Sequence, residues 1–165
     1  MTDKFTPQQR SKIMSKIRSR NTRPELIVRR YLWHAGYRYR LCDRRLPGRP
    51  DIVIRRLKVA IFVNGCFWHG HKSHVRSLPQ SNEEYWRKKI TDNQARDLEN
   101  GIRLRRMGWT VITIWECELT PRRKERTLEK LAETLRLLSG SGYRYAQAEE
   151  YRIAAEPSAS YNTDT

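Results

Sequence analysis

Val59 to His71, VAIFVNGCFWHGH, constrains this chain more than any other stretch. Its first five residues are apolar or β-branched, the pattern of a buried strand. Gly65 breaks the run, and behind it Cys66, Phe67, Trp68, His69 and His71 crowd together. A thiol, two aromatics and two imidazoles at the mouth of a buried strand point to a chemical site, because loops are ordinarily polar. The plain alternative is that Phe67 and Trp68 cap a core while the imidazoles are solvated.

Charge bounds the partners. Lys and Arg number 34 against 18 Asp and Glu, a net of +16, and the pI is about 10.3. Such an excess is an electrostatic footprint for nucleic acid or another polyanion. No basic amphipathic anchor supports an anionic membrane surface instead. No apolar run of about 18 residues occurs, so no membrane span is expected. MTDKFTPQQRSK lacks the apolar segment of a signal peptide, so the chain is expected inside the cell, in the cytoplasm. Three cysteines, Cys42, Cys66 and Cys117, read as free thiols or metal ligands rather than a disulfide framework. The 165 residues suit one domain with a modest core.

Residues 8–20 place Ile13, Met14 and Ile17 among basic residues at the spacing of a short amphipathic helix. Asn21 and Thr22 offer a cap for the next helix, with Pro24 in its first turn and Gly36 after its end. Ile27, Val28, Tyr31, Leu32 and Ala35 form the expected inner stripe. Glu25 in the first turn reads equally as a partner of the helix dipole. Residues 37–42 alternate as an edge strand, LPGRP at 46–50 is a turn, and Asp51 opens a second strand to Ile54. A basic turn at 55–58 leads into the strand at 59–63. An acidic residue at a strand edge offers the hard oxygen that suits Mg²⁺, although a lone Asp before a strand is commonly a turn residue.

Ser81 or Asn82 caps a long helix, about 83–107. Trp86, Ile90, Asn93, Asp97, Gly101 and Leu104 share one of its faces, so Asn93 and Asp97 need polar partners there. WTVITIW, Trp109 to Trp115, is a strand, followed by Glu116 and Cys117. A last helix starts at Thr120 and Pro121 and carries Leu128, Leu131, Leu135 and Leu138 at helical spacing. Residues 141–165 are poor in branched aliphatics and read as a flexible tail.

LPGRPDIVI, NGCFWHGH, the helix with EYWRKK, Asn93 and Arg96-Asp97, and GWTVITIWECEL together closely resemble the very-short-patch-repair (Vsr) endonucleases. Four separated motifs in order, from about residue 10 to 138, carry the resemblance. It implies an α/β, restriction-endonuclease-like fold with a mixed central sheet flanked by helices. Residues 1–20 correspond to a DNA-clamping arm and 21–140 to the endonuclease domain. That family nicks one strand 5′ to the thymine of a T:G mismatch left by deamination of 5-methylcytosine.

By the same resemblance Asp51 is the Mg²⁺ ligand, helped by the Val63 carbonyl. His69 is the general base, Asp97 orients it, and Glu25 is reached through water. Phe67, Trp68 and Trp86 wedge into the duplex, and Met14 belongs to the clamping arm. Cys66, His71 and Cys117 match ligands of a structural zinc. Position 73 is Ser where the family has a cysteine, which leaves His74 as the nearest fourth ligand and Cys42 as a remoter one. Position 64 is Asn where family members carry His or an acidic residue. The expected partner is T:G-mismatched duplex DNA, bound by a monomer, with mismatch-repair proteins downstream. The alternative is a module that binds distorted duplex without cutting it.

Overall fold

The structure, a computed structural model, describes residues 8, 9, 20–71 and 82–140. The clamping arm with Ile13 and Met14, the loop carrying Ser73 and His74, and the tail lie outside the described residues.

Thr22 caps α1, Arg23–His34: its hydroxyl accepts from the Glu25 N–H at 3.4 Å, and Pro24 occupies the first turn, where no backbone donor is needed. Val28 and Leu32 are fully buried, with Ile27 and Tyr31 beside them. Ala35 is exposed, because the helix has already ended at His34. The strand expected at 37–42 shrinks to β1, Arg40–Leu41. Tyr37 and Tyr39 turn onto the core instead, and Tyr39 Oη donates to the Arg29 carbonyl at 3.0 Å.

β2, Ile52–Ile54, and β3, Val59–Asn64, are antiparallel, joined by a 3₁₀ turn that ends with Lys58 in the left-handed region. Asp51 thus precedes β2 rather than opening it. α2, Glu83–Arg106, then crosses to β4, Thr110–Trp115, which runs parallel to β3. A second 3₁₀ turn, Glu116–Leu119, precedes α3, Lys124–Gly140. That helix begins later than Thr120 and Pro121 suggested, since residues 121–123 form a turn closed by the Arg123 and Lys124 N–H groups on the Thr120 carbonyl.

The sheet order is β1-β2-β3-β4, mixed in direction. Alternation along the strands sorts its two faces. Ile52, Ile54, Val59, Ile61, Ile112 and Ile114 meet α1 and α3. Val53, Ala60 and Val111 meet Leu104 of α2 and Leu46. Helices therefore cover both faces, and among the described residues the strand ends form a rim. That is the usual place for a site in a sheet with parallel strands. No helix among the described residues is long and apolar enough to cross a membrane.

Candidate active site and metal centre

β3 delivers the expected cluster to the rim, and α2 holds it there. Beyond Asn64 the chain makes a tight turn through 65–70, with His69 N–H on the Gly65 carbonyl at 3.2 Å and His71 N–H on the Cys66 carbonyl at 2.9 Å. Three side chains of α2 grip successive positions of this turn. Asn93 Nδ2 donates to the Trp68 carbonyl at 2.9 Å. The Asp97 carboxylate binds His69 Nδ1. Gln94 Nε2 donates to the Gly70 carbonyl at 3.3 Å. The stripe expected on α2 is thus apolar at its ends, where Trp86, Ile90, Gly101 and Leu104 are buried, and polar in the middle, where it meets the turn. Asn93 is half-buried, and Asp97 is exposed rather than inward, because it reaches the rim beyond the sheet.

Asp51 stands on the neighbouring strand entry. Its Oδ2 accepts the Val63 N–H at 2.7 Å, which fixes the carboxylate beside the end of β3. Burial pushes the Asp51 carboxyl from the ordinary 3.8 up to about 6. The nearby Glu25 carboxylate adds to that rise, while the Val63 N–H, Arg29 and His69 oppose it. Glu25 itself is buried and belongs to the α1 cap. It accepts from Asn21 N–H at 3.0 Å, Thr22 Oγ1 at 3.0 Å and Arg29 Nη2 at 2.5 Å. Its dipole-facing position and its place near Asp51 are therefore both real. Arg29 is buried and also bound to Asn21 Oδ1 at 2.6 Å; in the sequence only its spacing of four from Glu25 signals this role.

Asp51 feels the charges of Glu25 and His69, and His69 is in turn paired to Asp97. A half-buried carboxylate with a raised pKa is a site that a divalent cation relieves, and hard oxygens suit Mg²⁺. The imidazole paired to a carboxylate is the arrangement of an oriented general base.

The second centre follows from strand register. Asn64 pairs with Trp115, and two residues further along each parallel strand stand Cys66 and Cys117. The tight turn returns His71 to them. One ligand atom from each of Cys66, His71 and Cys117 falls within 4.8 Å of the others, and Cys117 Sγ lies 3.4 Å from His71 Nδ1. The His71 ring stacks on Trp115 at 4.3 Å with planes 5° apart. Burial pushes the Cys117 thiol up to about 12, and the adjacent Cys66 adds to this. Two thiols and an imidazole so close suit three positions of a tetrahedral zinc site. Cys42 is not part of the group.

The expected wedge residues pack on one another. Phe67 and Trp68 lie 5.2 Å apart edge to face, and Trp86 closes the triangle at 5.5 and 5.9 Å. Trp86 is buried; Phe67 and Trp68 are half-buried. Asn64, at the end of β3, is buried.

The family model described as DNA mismatch endonuclease Vsr matches residues 2–75. A type II nicking enzyme of Neisseria meningitidis serogroup A, V.NmeAIP, is 47% identical over 119 residues, covering 72% of this chain and 85% of the relative. V.XorIIP of Xanthomonas oryzae, also a type II nicking enzyme, is 47% identical over 120 residues, 73% and 88% of the two chains. The DNA mismatch endonuclease Vsr of Escherichia coli is 39% identical over 135 residues, 82% and 86%.

Proposed function

Because this chain belongs to the Vsr family of DNA mismatch endonucleases, we propose that it nicks one strand of duplex DNA 5′ to the thymine of a T:G mismatch, starting very short patch repair. The observation that carries this reading is the His69–Asp97 pair on the same rim as the half-buried Asp51 carboxylate.

Asp51 and the Val63 carbonyl would hold Mg²⁺, with Glu25 nearby, and the bound cation would supply positive charge to the scissile phosphate. His69 takes the proton of the attacking water, and Asp97 keeps the ring oriented with Nδ1 engaged, leaving Nε2 for the water. Phe67, Trp68 and Trp86 form the wedge that enters the duplex at the mismatch, where unstacking costs least. The arm of residues 1–20, with Met14, clamps the DNA, and residues 21–140 are the endonuclease domain of a restriction-endonuclease-like fold. Cys66, His71 and Cys117 would hold a structural zinc, with His74 as the fourth ligand, since Ser73 lacks a thiolate's charge. The protein acts as a monomer in the cytoplasm, on DNA later handed to mismatch-repair proteins.

The test is a nicking assay on a T:G duplex and its paired T:A control, with and without Mg²⁺, beside Asp51→Ala. Mg²⁺-dependent nicking of the T:G strand alone, lost in Asp51→Ala with DNA binding retained, is expected. Tight binding of the mismatch by the wild type without any cut would instead make the protein a non-cleaving reader of distorted DNA. Near-normal nicking by Asp51→Ala would remove Asp51 from the metal site.

A further inference from the structure

We propose that Gln94 is a positioning residue that sets His69 and His71 together, coupling the nicking centre to the thiol–imidazole centre through the backbone of Gly70. Its nicking arm rests on the function proposed above.

The two histidines flank a single glycine. Gly70 has φ +64, a conformation that favours glycine, and it is buried against α2. A Cβ there would overlap the Gln94 amide and come within 2.7 Å of Ile90 Cγ2. Position 70 is therefore not merely a flexible joint: α2 presses directly on its backbone. Gln94 Nε2 donates to the Gly70 carbonyl at 3.3 Å. The peptide unit carrying that carbonyl links residue 70 to residue 71, and residue 69 lies just before it. Fixing it limits both the direction in which His69 leaves toward Asp97 and the direction in which His71 leaves toward Cys117.

Asn93 does not duplicate this contact. It holds the Trp68 carbonyl, on the far side of His69. Asp97 holds only the His69 ring. Among the described residues, Gln94 is the α2 side chain that hydrogen-bonds to the backbone between the two imidazoles. Groups that orient a ligand or a base from behind are worth roughly 10-fold to 100-fold in metal affinity or activity when removed. A misplacement of about 1 Å at a reacting group has an effect of similar size.

The experiment compares Gln94→Met, which keeps length and packing but cannot donate, Gln94→Glu, which turns an acceptor toward the Gly70 carbonyl, and Gln94→Lys, which restores a donor. Two readouts are taken on the full chain. One is kcat and KM for nicking a T:G duplex. The other is Co²⁺ titration of the purified apoprotein, followed by the thiolate-to-cobalt absorption of the Cys66–Cys117 site. We expect Gln94→Met and Gln94→Glu to lower kcat and Co²⁺ affinity each by about 10-fold or more, with KM within about twofold of the wild type. Gln94→Lys loses less in both. Unchanged kcat and Co²⁺ affinity in Gln94→Met and Gln94→Glu overturn the proposal, and so does a loss in one readout without the other. If Gln94→Met fails to fold, Gln94→Glu carries the same comparison. If the wild type does not nick, the proposed function fails, while the Co²⁺ titration still tests the control of His71 by Gln94.

Discussion

Asp51 is held in a position where its ionised form is disfavoured. Its pKa of about 6 exceeds the ordinary 3.8, so the folded chain binds that proton more tightly than the unfolded chain does. The group is neutral in both states well below pH 4, its cost to the fold grows between about pH 4 and 6, and above that the cost is constant. Asp51→Asn keeps an acceptor for the Val63 N–H and removes the charge. Without divalent cation at pH 8, we expect this variant to be more stable than the wild type by about 1–2 kcal/mol, a value already reduced for partial exposure. The gain should vanish near pH 4, and millimolar Mg²⁺ should stabilise only the wild type. Denaturant unfolding at the two pH values checks all three. His69 and Asp97 give the second test at this scale. A base and its orienting partner act as a unit, so the double alanine variant should nick little more slowly than the worse single variant. Rate losses that multiply in single-turnover nicking would show that the two side chains work separately.

The turn of residues 65–71 and the helix α2 operate as one element. The helix supplies Asn93, Gln94 and Asp97 to successive turn positions, and Trp86 to the aromatic triangle. The triangle leaves Phe67 and Trp68 half-buried, so their rings are supported from behind by Trp86. Stacking on bases is worth about 1–3 kcal/mol per aromatic, whereas phosphate contacts act on all sequences alike. Trp68→Ala is therefore expected to lower the T:G over T:A binding ratio by about 10-fold, and arginine or lysine substitutions to leave that ratio unchanged. Titration of both duplexes at one salt concentration decides. An unchanged ratio in Trp68→Ala would assign that ring to the core alone. Period and length made α2 readable from the sequence, because Trp86, Ile90, Gly101 and Leu104 recur on one face. Gln94 was not readable: it lies about 100° around the helix from Asn93, off the apolar stripe, and only the docked turn gives it a partner.

At the scale of the whole molecule the governing quantity is the net charge of +16. Counterion release makes duplex binding fall linearly with salt on logarithmic axes. If six to ten phosphates are neutralised, affinity should drop by about 10³-fold to 10⁵-fold between roughly 50 and 200 mM salt. Mismatched and paired duplexes should share that slope, since the mismatch adds stacking rather than phosphate contacts. Fluorescence anisotropy across a salt series measures it, and a flat response would separate the basic surface from DNA binding.

By itself the sequence determined the local elements. Short apolar and β-branched runs set β2, β3 and β4, helical spacing set the three helices, and Thr22, Pro24 and Gly36 bounded α1, because these signals depend on near neighbours in the chain. It also marked Asp51, His69, Asp97 and the Cys66–His71 cluster as the candidate site residues, through their types and motifs. Tertiary structure decided which of them meet. Parallel pairing of β3 with β4 brought Cys66 beside Cys117, and antiparallel pairing of β2 with β3 put Asp51 on the Val63 N–H. It also shortened the strand expected at 37–42, since burying Tyr37 and Tyr39 on the core outweighed extending an exposed edge. The physical reason is the same in each case. Register and packing are settled by contacts between residues far apart in sequence, and these leave no local trace.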